Sequence, residues 1–259
     1  MTMRMSTSDK WVRAFVGDTA VVDSRTPFLV WEPELPVPRY VFGWDDVRRD
    51  LLRPAPGEPP EQPWFFLPHQ PVAEWFDIVS DGRVLRHAAW TYADPDLANK
   101  VAFSWQPHLL DRWMEEDEEV AGHPRDPYKR VEAIASTRRV TVSLNGVMLA
   151  DSQNPVLLFE TDLPTRYYLP ESDVNLNELT PSDNRSHCPY KGVADRYWNV
   201  GDRPDGRNLA WSYSDPFAAV GKVAGRVAFY NEFVDITVDG VAFPRPVSPF
   251  SNPAQRAGS

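Results

Sequence analysis

The sequence has very few of the residues that hold metals or form disulfides. Its 259 residues include one cysteine and five histidines. A lone cysteine cannot form an internal disulfide, and this set cannot supply the thiolate and imidazole ligands of a structural zinc site. We therefore predict no metal and no other cofactor, although a weaker site built from His187 and nearby carboxylates stays open.

Long apolar runs are also missing. No stretch approaches the length of a membrane-spanning helix, and the first ten residues lack the apolar core of a secretory signal. We therefore predict no membrane partner and a cytoplasmic location, which also suits a free thiol.

Positive charge is scarce as well. Asp and Glu number 37 against 27 Lys and Arg, which gives a formal net charge of −10. Because a phosphate backbone demands clustered Lys and Arg, we predict no nucleic-acid partner. What the chain does have is 10 Trp, 26 Pro and a hydrophobic content of 42%. This composition favours a packed core of strands and turns over long helices.

The sequence repeats itself. Residues Val12–Val47 align with Val140–Val174, and AAWTYADP at Ala88–Pro95 aligns with LAWSYSDP at Leu209–Pro216. Matches in the same order over most of each half indicate two tandem copies of one domain. The predicted boundaries are 10–113 for the first copy, 114–136 for a connector, 137–243 for the second copy and 244–259 for a disordered tail.

Each copy is predicted to be mainly β, with little helix. VTVSLNGVMLADS alternates apolar and polar residues around Asn145-Gly146, which is typical of a type I′ hairpin. In the first copy Gly17-Asp18 takes the place of this turn. Short helices are predicted at AAVGKVAG and at HLLDRWM, and the acidic run Glu115–Glu119 is interpreted as a solvated face.

The two copies differ most at one loop. The second copy has SHCPYKG, whereas the first copy has APGEPPEQPWFFLPHQPV between Pro54 and Ala73, without Cys or Lys. Since the first copy does without the polar loop, we interpret CPYKG as functional. The alternative is that PWFF closes the same edge by packing.

The second copy resembles the domain-of-unknown-function family four-twenty-seven. The resemblance rests on CPYKG (188–192), YW (197–198) and AWSY (210–213), and it covers essentially all of the second copy and the first only in outline. It implies two tandem β-tent-like domains related by internal duplication. A nucleotidyltransferase label sometimes attached to this family has no support here, because there is no Gly-Ser dyad with a following Asp-x-Asp and no phosphate-binding glycine loop.

Lys191 is the main candidate for chemistry. A lysine fixed among aromatic side chains can anchor a carboxylate or phosphate, or can act as an amine of lowered pKa. It can equally form a structural ion pair with Asp173 or Glu160. Cys188 is a candidate nucleophile, because a nearby ammonium favours the thiolate, but a buried inert cysteine is also common.

An aromatic pocket is predicted around this loop. Its candidate ligand-binding residues are Tyr190, Lys191, Tyr197, Trp198, Trp211, Tyr213 and Glu160. A purely structural aromatic core is the competing interpretation, because the first copy keeps Trp90 and Tyr92.

Three functional classes remain open. We predict a small-molecule-binding protein with an acidic ligand held by Lys191. The first alternative is an enzyme of hydrolase or transferase type that uses Lys191 or Cys188 with the carboxylate of Asp173. The second is an interaction module that docks a partner protein through PWFF.

Overall fold

The structure is a computed structural model that describes residues 3–33, 35–61, 63–107, 109–201 and 206–252. The chain divides into two compact units, Met1–Asp126 and Pro127–Ser259. Both units consist mainly of antiparallel strands with short 3-10 helices, as the sequence predicts. No helix among the described residues is long and apolar enough to cross a membrane.

The first unit contains two antiparallel sheets. Its strands are β1 (Arg4–Thr7), β2 (Val12–Val16), β3 (Thr19–Ser24), β4 (Phe28–Trp31), β5 (Arg39–Gly43), β6 (Leu52–Pro54), β7 (Val72–Ser80), β8 (Arg83–Tyr92), β9 (Lys100–Phe103), β10 (Arg112–Glu115) and β11 (Glu118–Glu119). One sheet has the order β1-β4-β5-β9-β8-β7-β6 and the other β11-β10-β2-β3. Short 3-10 helices lie at Trp44–Asp46, Arg49–Leu51, Trp64–Phe66 and Pro95–Leu97.

The second unit contains three sheets and a separate hairpin. Its strands are β12 (Val131–Ala135), β13 (Val140–Leu144), β14 (Val147–Ser152), β15 (Val156–Glu160), β16 (Arg166–Tyr168), β17 (Leu179–Ser182), β18 (Ser186–Cys188), β19 (Gly192–Ala194), β20 (Arg196–Val200), β21 (Ala210–Ser212), β22 (Val227–Phe229), β23 (Asp235–Val238) and β24 (Val241–Phe243). The sheets are β12-β15-β16, β14-β13-β23-β24 and β17-β20-β21-β22. Its 3-10 helices lie at Glu171–Asp173, Leu176–Glu178, Ala218–Val223 and Pro249–Ser251.

The strand order of the first unit recurs in the second. The order β12-β15-β16 followed by β22-β21-β20-β17 matches the seven-stranded sheet, and β14-β13-β23-β24 matches β3-β2-β10-β11. The large sheet is interrupted between β16 and β22, where a β-bridge joins Leu169 and Val227. The hairpin β18–β19 lies between β17 and β20, where the first unit has its 3-10 helix Trp64–Phe66. The shared strand order is what an internal duplication of one domain predicts.

The hairpin turns follow the sequence. Asn145 and Gly146 have φ values of 51° and 81°, and Asp239 and Gly240 have 51° and 82°. Positive φ at both central residues is what a type I′ turn requires, and Asn, Asp and Gly tolerate it best. The hairpin prediction at Asn145-Gly146 is confirmed.

Alternation along the strands builds the two cores. In β2 the side chains of Val12, Ala14 and Val16 are fully buried, and in β13 Val140 and Val142 take the same positions. Successive residues on a strand face opposite sides, so one face of each strand supplies the core. Each unit has its own hydrophobic core.

One predicted helix is wrong. The stretch HLLDRWM does not begin a helix, because Arg112–Glu115 form strand β10. Trp113 and Glu115 are buried while Arg112 is exposed, which is the period of a strand. The Glu115 carboxylate accepts hydrogen bonds from Lys10 Nζ at 2.6 Å and from Tyr40 Oη at 3.0 Å. The solvated acidic run is therefore limited to residues 116–119.

The stretches predicted as connector and tail contain packed structure. Strands β11 and β12 fall within residues 114–136, so little of this segment serves only as a link. In the tail, Ser248 caps the 3-10 helix Pro249–Ser251, and the ring of Phe250 lies 5.8 Å from that of Tyr230. Residues 253–259, which also belong to the predicted tail, and the loop residues 202–205 lie outside the described residues.

Candidate functional site

The CPYKG motif forms the tip of the β18–β19 hairpin. The backbone N–H of Lys191 donates to the carbonyl oxygen of Cys188 at 3.2 Å, and the N–H of Phe217 donates to the carbonyl oxygen of Lys191 at 3.0 Å. Gly192 has a φ of 93°, which a side chain would strain, and its Cα faces the backbone of Asp215. The turn geometry and the neighbouring loop thus fix the backbone of the motif.

The Lys191 side chain points into the unit and pairs with a carboxylate. Its Nζ lies 2.5 Å from Oε2 of Glu160, and the two side chains are only 12% and 9% exposed. Burial by itself lowers the pKa of Lys191, but the negative charges of Cys188 and Glu160 outweigh burial and raise that pKa. Lys191 is therefore an ammonium at neutral pH, and the amine of lowered pKa that imine chemistry requires is not what this environment favours.

The Lys191–Glu160 pair leaves hydrogen-bonding capacity unused. An ammonium carries three N–H donors, and among the described residues only Glu160 accepts from Nζ. The same carboxylate receives no other donor from the described part of the chain. The ammonium therefore has donors that the described side chains do not use.

The equivalent carboxylate of the first unit is saturated. Glu32 accepts hydrogen bonds from Arg39 Nε at 2.7 Å, from Tyr92 Oη at 2.9 Å and from the backbone N–H of His69 at 2.5 Å. The Arg39 guanidinium also donates to the carbonyl oxygens of residues 65–67. In the first unit, the PWFFLPH segment thus supplies hydrogen-bond partners to both Glu32 and Arg39. Within this segment Trp64 is 55% exposed.

A second buried ion pair explains the difference between the units. Arg166 is the counterpart of Arg39, but its guanidinium binds the two carboxylate oxygens of Glu232 at 2.6 and 2.8 Å. Both side chains are almost fully buried, and Glu232 stands where the first copy has Gln106. With Arg166 engaged by Glu232, Glu160 is left to Lys191. Sequence reasoning missed Glu232, and the signal was this Gln-to-Glu difference between the copies.

Tyr168 joins the aromatic residues predicted for the pocket. Its hydroxyl accepts a hydrogen bond from Trp211 Nε1 at 3.1 Å, and its ring centroid lies 6.4 Å from that of Tyr213. Burial is the main reason that the pKa of Tyr168 is raised to about 12. This tyrosine was not among the predicted site residues. The signal that could have identified it is a difference between the copies, because the first copy has Val41 at the equivalent position.

The side chains of Tyr197 and Trp198 point to opposite faces of strand β20. The Tyr197 hydroxyl shares a hydrogen bond of 2.6 Å with Ser186, on the side of the β18–β19 hairpin. Trp198 follows it on β20 and so faces the opposite side, where the Arg196 guanidinium lies 4.8 Å from its ring centroid. Tyr197 therefore lies on the same side of the strand as the CPYKG motif. Trp198 instead packs against Arg196, which forms an ion pair with Glu171. Tyr190 occupies the hairpin turn.

Cys188 lies close to several titratable groups. Burial is the first cause of the raised pKa values of Tyr168, Tyr197 and Tyr213, and negative charge on Cys188 raises each of them further. The thiol is partly exposed. These effects place Cys188 near three tyrosine side chains and the Lys191 ammonium.

Asp173 is not brought to Lys191. Its Oδ2 accepts a hydrogen bond from Ser152 Oγ at 2.6 Å, and in the first unit Asp46 accepts from Ser24 at 2.7 Å. The same contact in both copies indicates a turn-capping role for Asp173, in place of the catalytic role predicted for it. The described residues include no group of three or more His, Cys, Asp and Glu that could hold a metal ion.

Comparison with known proteins gives a family and no reaction. The family model described as a domain of unknown function (DUF427) matches residues 4–116 and again 132–240. No curated protein matches the chain. The two matches cover most of the chain and correspond to the two structural copies. The protein is therefore a tandem member of the DUF427 family.

Proposed function

We propose that the second unit binds a small acidic molecule at the Lys191–Glu160 pair. The observation that carries this proposal is the buried ammonium of Lys191, which meets one acceptor among the described residues. A carboxylate or phosphate oxygen of the ligand would accept from the remaining N–H groups. Charge-assisted hydrogen bonds of this kind contribute about 1.5–3 kcal/mol each.

The neighbouring groups favour a ligand with a second polar function. Glu160 accepts only from Lys191 among the described residues, so its carboxylate can accept a further donor from a ligand. The rings of Tyr168 and Trp211 supply apolar contact. An acidic molecule with an N–H or O–H group and a small apolar body fits these requirements.

The first unit would not bind the same ligand. Its equivalent carboxylate, Glu32, is fully buried and already accepts three hydrogen bonds. The second unit is thus the candidate for binding the acid, and the first unit serves as a control within the same chain. The net charge of −10 and the single free thiol support a ligand other than nucleic acid and a reducing, cytoplasmic compartment.

A thermal-shift screen of small carboxylates and phosphates tests the proposal. A ligand that binds only the native state raises the melting temperature. We expect at least one acid to stabilise the wild type and Arg39→Met, which alters the first unit, but not Lys191→Met. The proposal fails if every active acid stabilises Lys191→Met as well as it does the wild type, or if none stabilises the wild type.

Thiol chemistry at Cys188 is the second candidate function. Cys188 is partly exposed, the effect of its charge on the pKa of Lys191 places it near that ammonium, and a cysteine sulfur can attack electrophilic substrates. Cys188→Ser separates the two candidates, because binding at Lys191 should persist in this variant whereas thiol-dependent turnover should be lost.

A further inference from the structure

A cavity lies in the second unit away from the predicted site. Its volume is about 180 Å³, and Tyr167, Asn231, Ile236, Phe243 and Pro246 are among the residues that line it. None of the ligand-binding or catalytic residues predicted from sequence contributes to this wall. A cavity of about 150 Å³ lined by apolar side chains holds benzene, so this space accommodates a molecule of about that size.

Asn231, one of the lining residues, has a hydrogen-bond acceptor without a donor among the described residues. The residue is 8% exposed, and its Nδ2 donates to the carbonyl oxygen of Thr165 at 2.7 Å. This bond sets the orientation of the amide and leaves Oδ1 as the free atom. Oδ1 is buried and receives no donor from the described residues. A buried acceptor without a donor is costly, so a ligand that supplies the donor gains affinity.

The cavity favours neutral ligands. None of the nine lining residues is Asp, Glu, Lys or Arg. Burial raises the pKa of Tyr167, which keeps its phenol neutral well above physiological pH. Val234, Ile236 and Phe243 provide apolar wall, so a charged ligand would lose its hydration without gaining a counter-charge.

We infer that this cavity is a second binding site, which takes a neutral molecule with a ring-sized apolar body and an N–H or O–H group directed at Asn231. This site differs from the Lys191 site in position and in the charge of its ligand. Its test is therefore independent of the proposed function.

Benzamide and acetophenone form a matched pair of probes. They have nearly the same shape, but only benzamide has N–H donors. We would titrate each into the full-length protein and follow the Ile236 methyl and Asn231 side-chain amide signals by NMR. Benzamide should shift both signals and bind about tenfold more tightly than acetophenone, because only benzamide satisfies the buried acceptor.

Two substitutions in the tail locate the site. Pro246→Trp places a large ring at the cavity wall and should abolish benzamide binding. Val247→Trp is the control, since Val247 is adjacent in sequence, 93% exposed and absent from the wall; it should leave binding unchanged. The inference is overturned if benzamide fails to shift the Ile236 and Asn231 signals, if acetophenone binds equally well, or if both variants bind as the wild type does.

Discussion

Replacing Lys191 by methionine should destabilise the second unit and leave the first unchanged. Methionine has a similar volume but no charge, so the Glu160 carboxylate, whose side chain is 9% exposed, would lose its only counter-charge among the described residues. Breaking a buried ion pair by removing one partner costs about 3–5 kcal/mol. Because Glu160 retains a small contact with solvent, we expect a loss of about 3 kcal/mol.

Hydrogen exchange followed by mass spectrometry resolves the two units within the intact chain. Amides of β15 and β20 should lose protection in Lys191→Met by about 3 kcal/mol, while those of β5 and β9 should keep theirs. Lys222→Met is the matched control, because this lysine is exposed in the same unit; its effect should stay within about 0.5 kcal/mol.

A second substitution checks the cause of this loss. In Lys191→Met with Glu160→Gln no charge remains to be buried, so the double variant should recover about half of the lost stability. A loss below about 1 kcal/mol in the single variant would refute the reasoning, because the pair would then behave as an exposed one. A double variant less stable than the single would refute it as well.

Three further predictions concern the surroundings of the site. Burial opposes ionisation of Glu232, but the charge and hydrogen bonds of Arg166 outweigh burial and lower the pKa of this carboxyl below its ordinary value of 4.5. The stability that the carboxylate contributes is therefore present above pH 4.5 and is lost as the pH falls further. Glu232→Gln should accordingly make the stability of the second unit depend less on pH in the acid range. Arg39→Met should cost the first unit about 3 kcal/mol and expose residues 63–70 to hydrogen exchange, since three carbonyl oxygens and Glu32 lose their donor; unchanged exchange there would contradict it. Alkylation of Cys188 by iodoacetamide, measured by intact mass, should slow several-fold when Lys191 is replaced by methionine, because the thiol chemistry proposed here requires the ammonium to assist the attacking sulfur; an equal rate would count against thiol chemistry.

The fold was predictable because its signals are local or repeated. Positive φ at Asn145-Gly146 follows from turn chemistry, and the alternation in Val140–Leu144 follows from a strand with one buried face. Because the first copy repeats the same pattern, the same strands and turns could be predicted there. The predicted helix at HLLDRWM failed because apolar spacing over seven residues does not separate a short helix from strand β10.

The candidate site was predictable only in part. Lys191 and Glu160 were both chosen from sequence, and their pairing was one of two alternatives that the residues left open. The Arg166–Glu232 pair was not foreseen, because its two residues lie 66 positions apart and no local pattern joins them. Asp173 and Trp198 were grouped with Lys191 because they belong to the repeat and the motif, whereas capping and strand alternation place them elsewhere.

The most direct test of the proposed ligand site is an NMR titration that observes the Lys191 ammonium itself. A buried ammonium held by Glu160 exchanges slowly enough for its ¹⁵Nζ signal to be followed in the full-length protein while a small carboxylate that stabilises it is added. The account predicts a saturable shift of the Lys191 signal. A Lys191 signal that stays in place while that acid binds and stabilises the protein would contradict it.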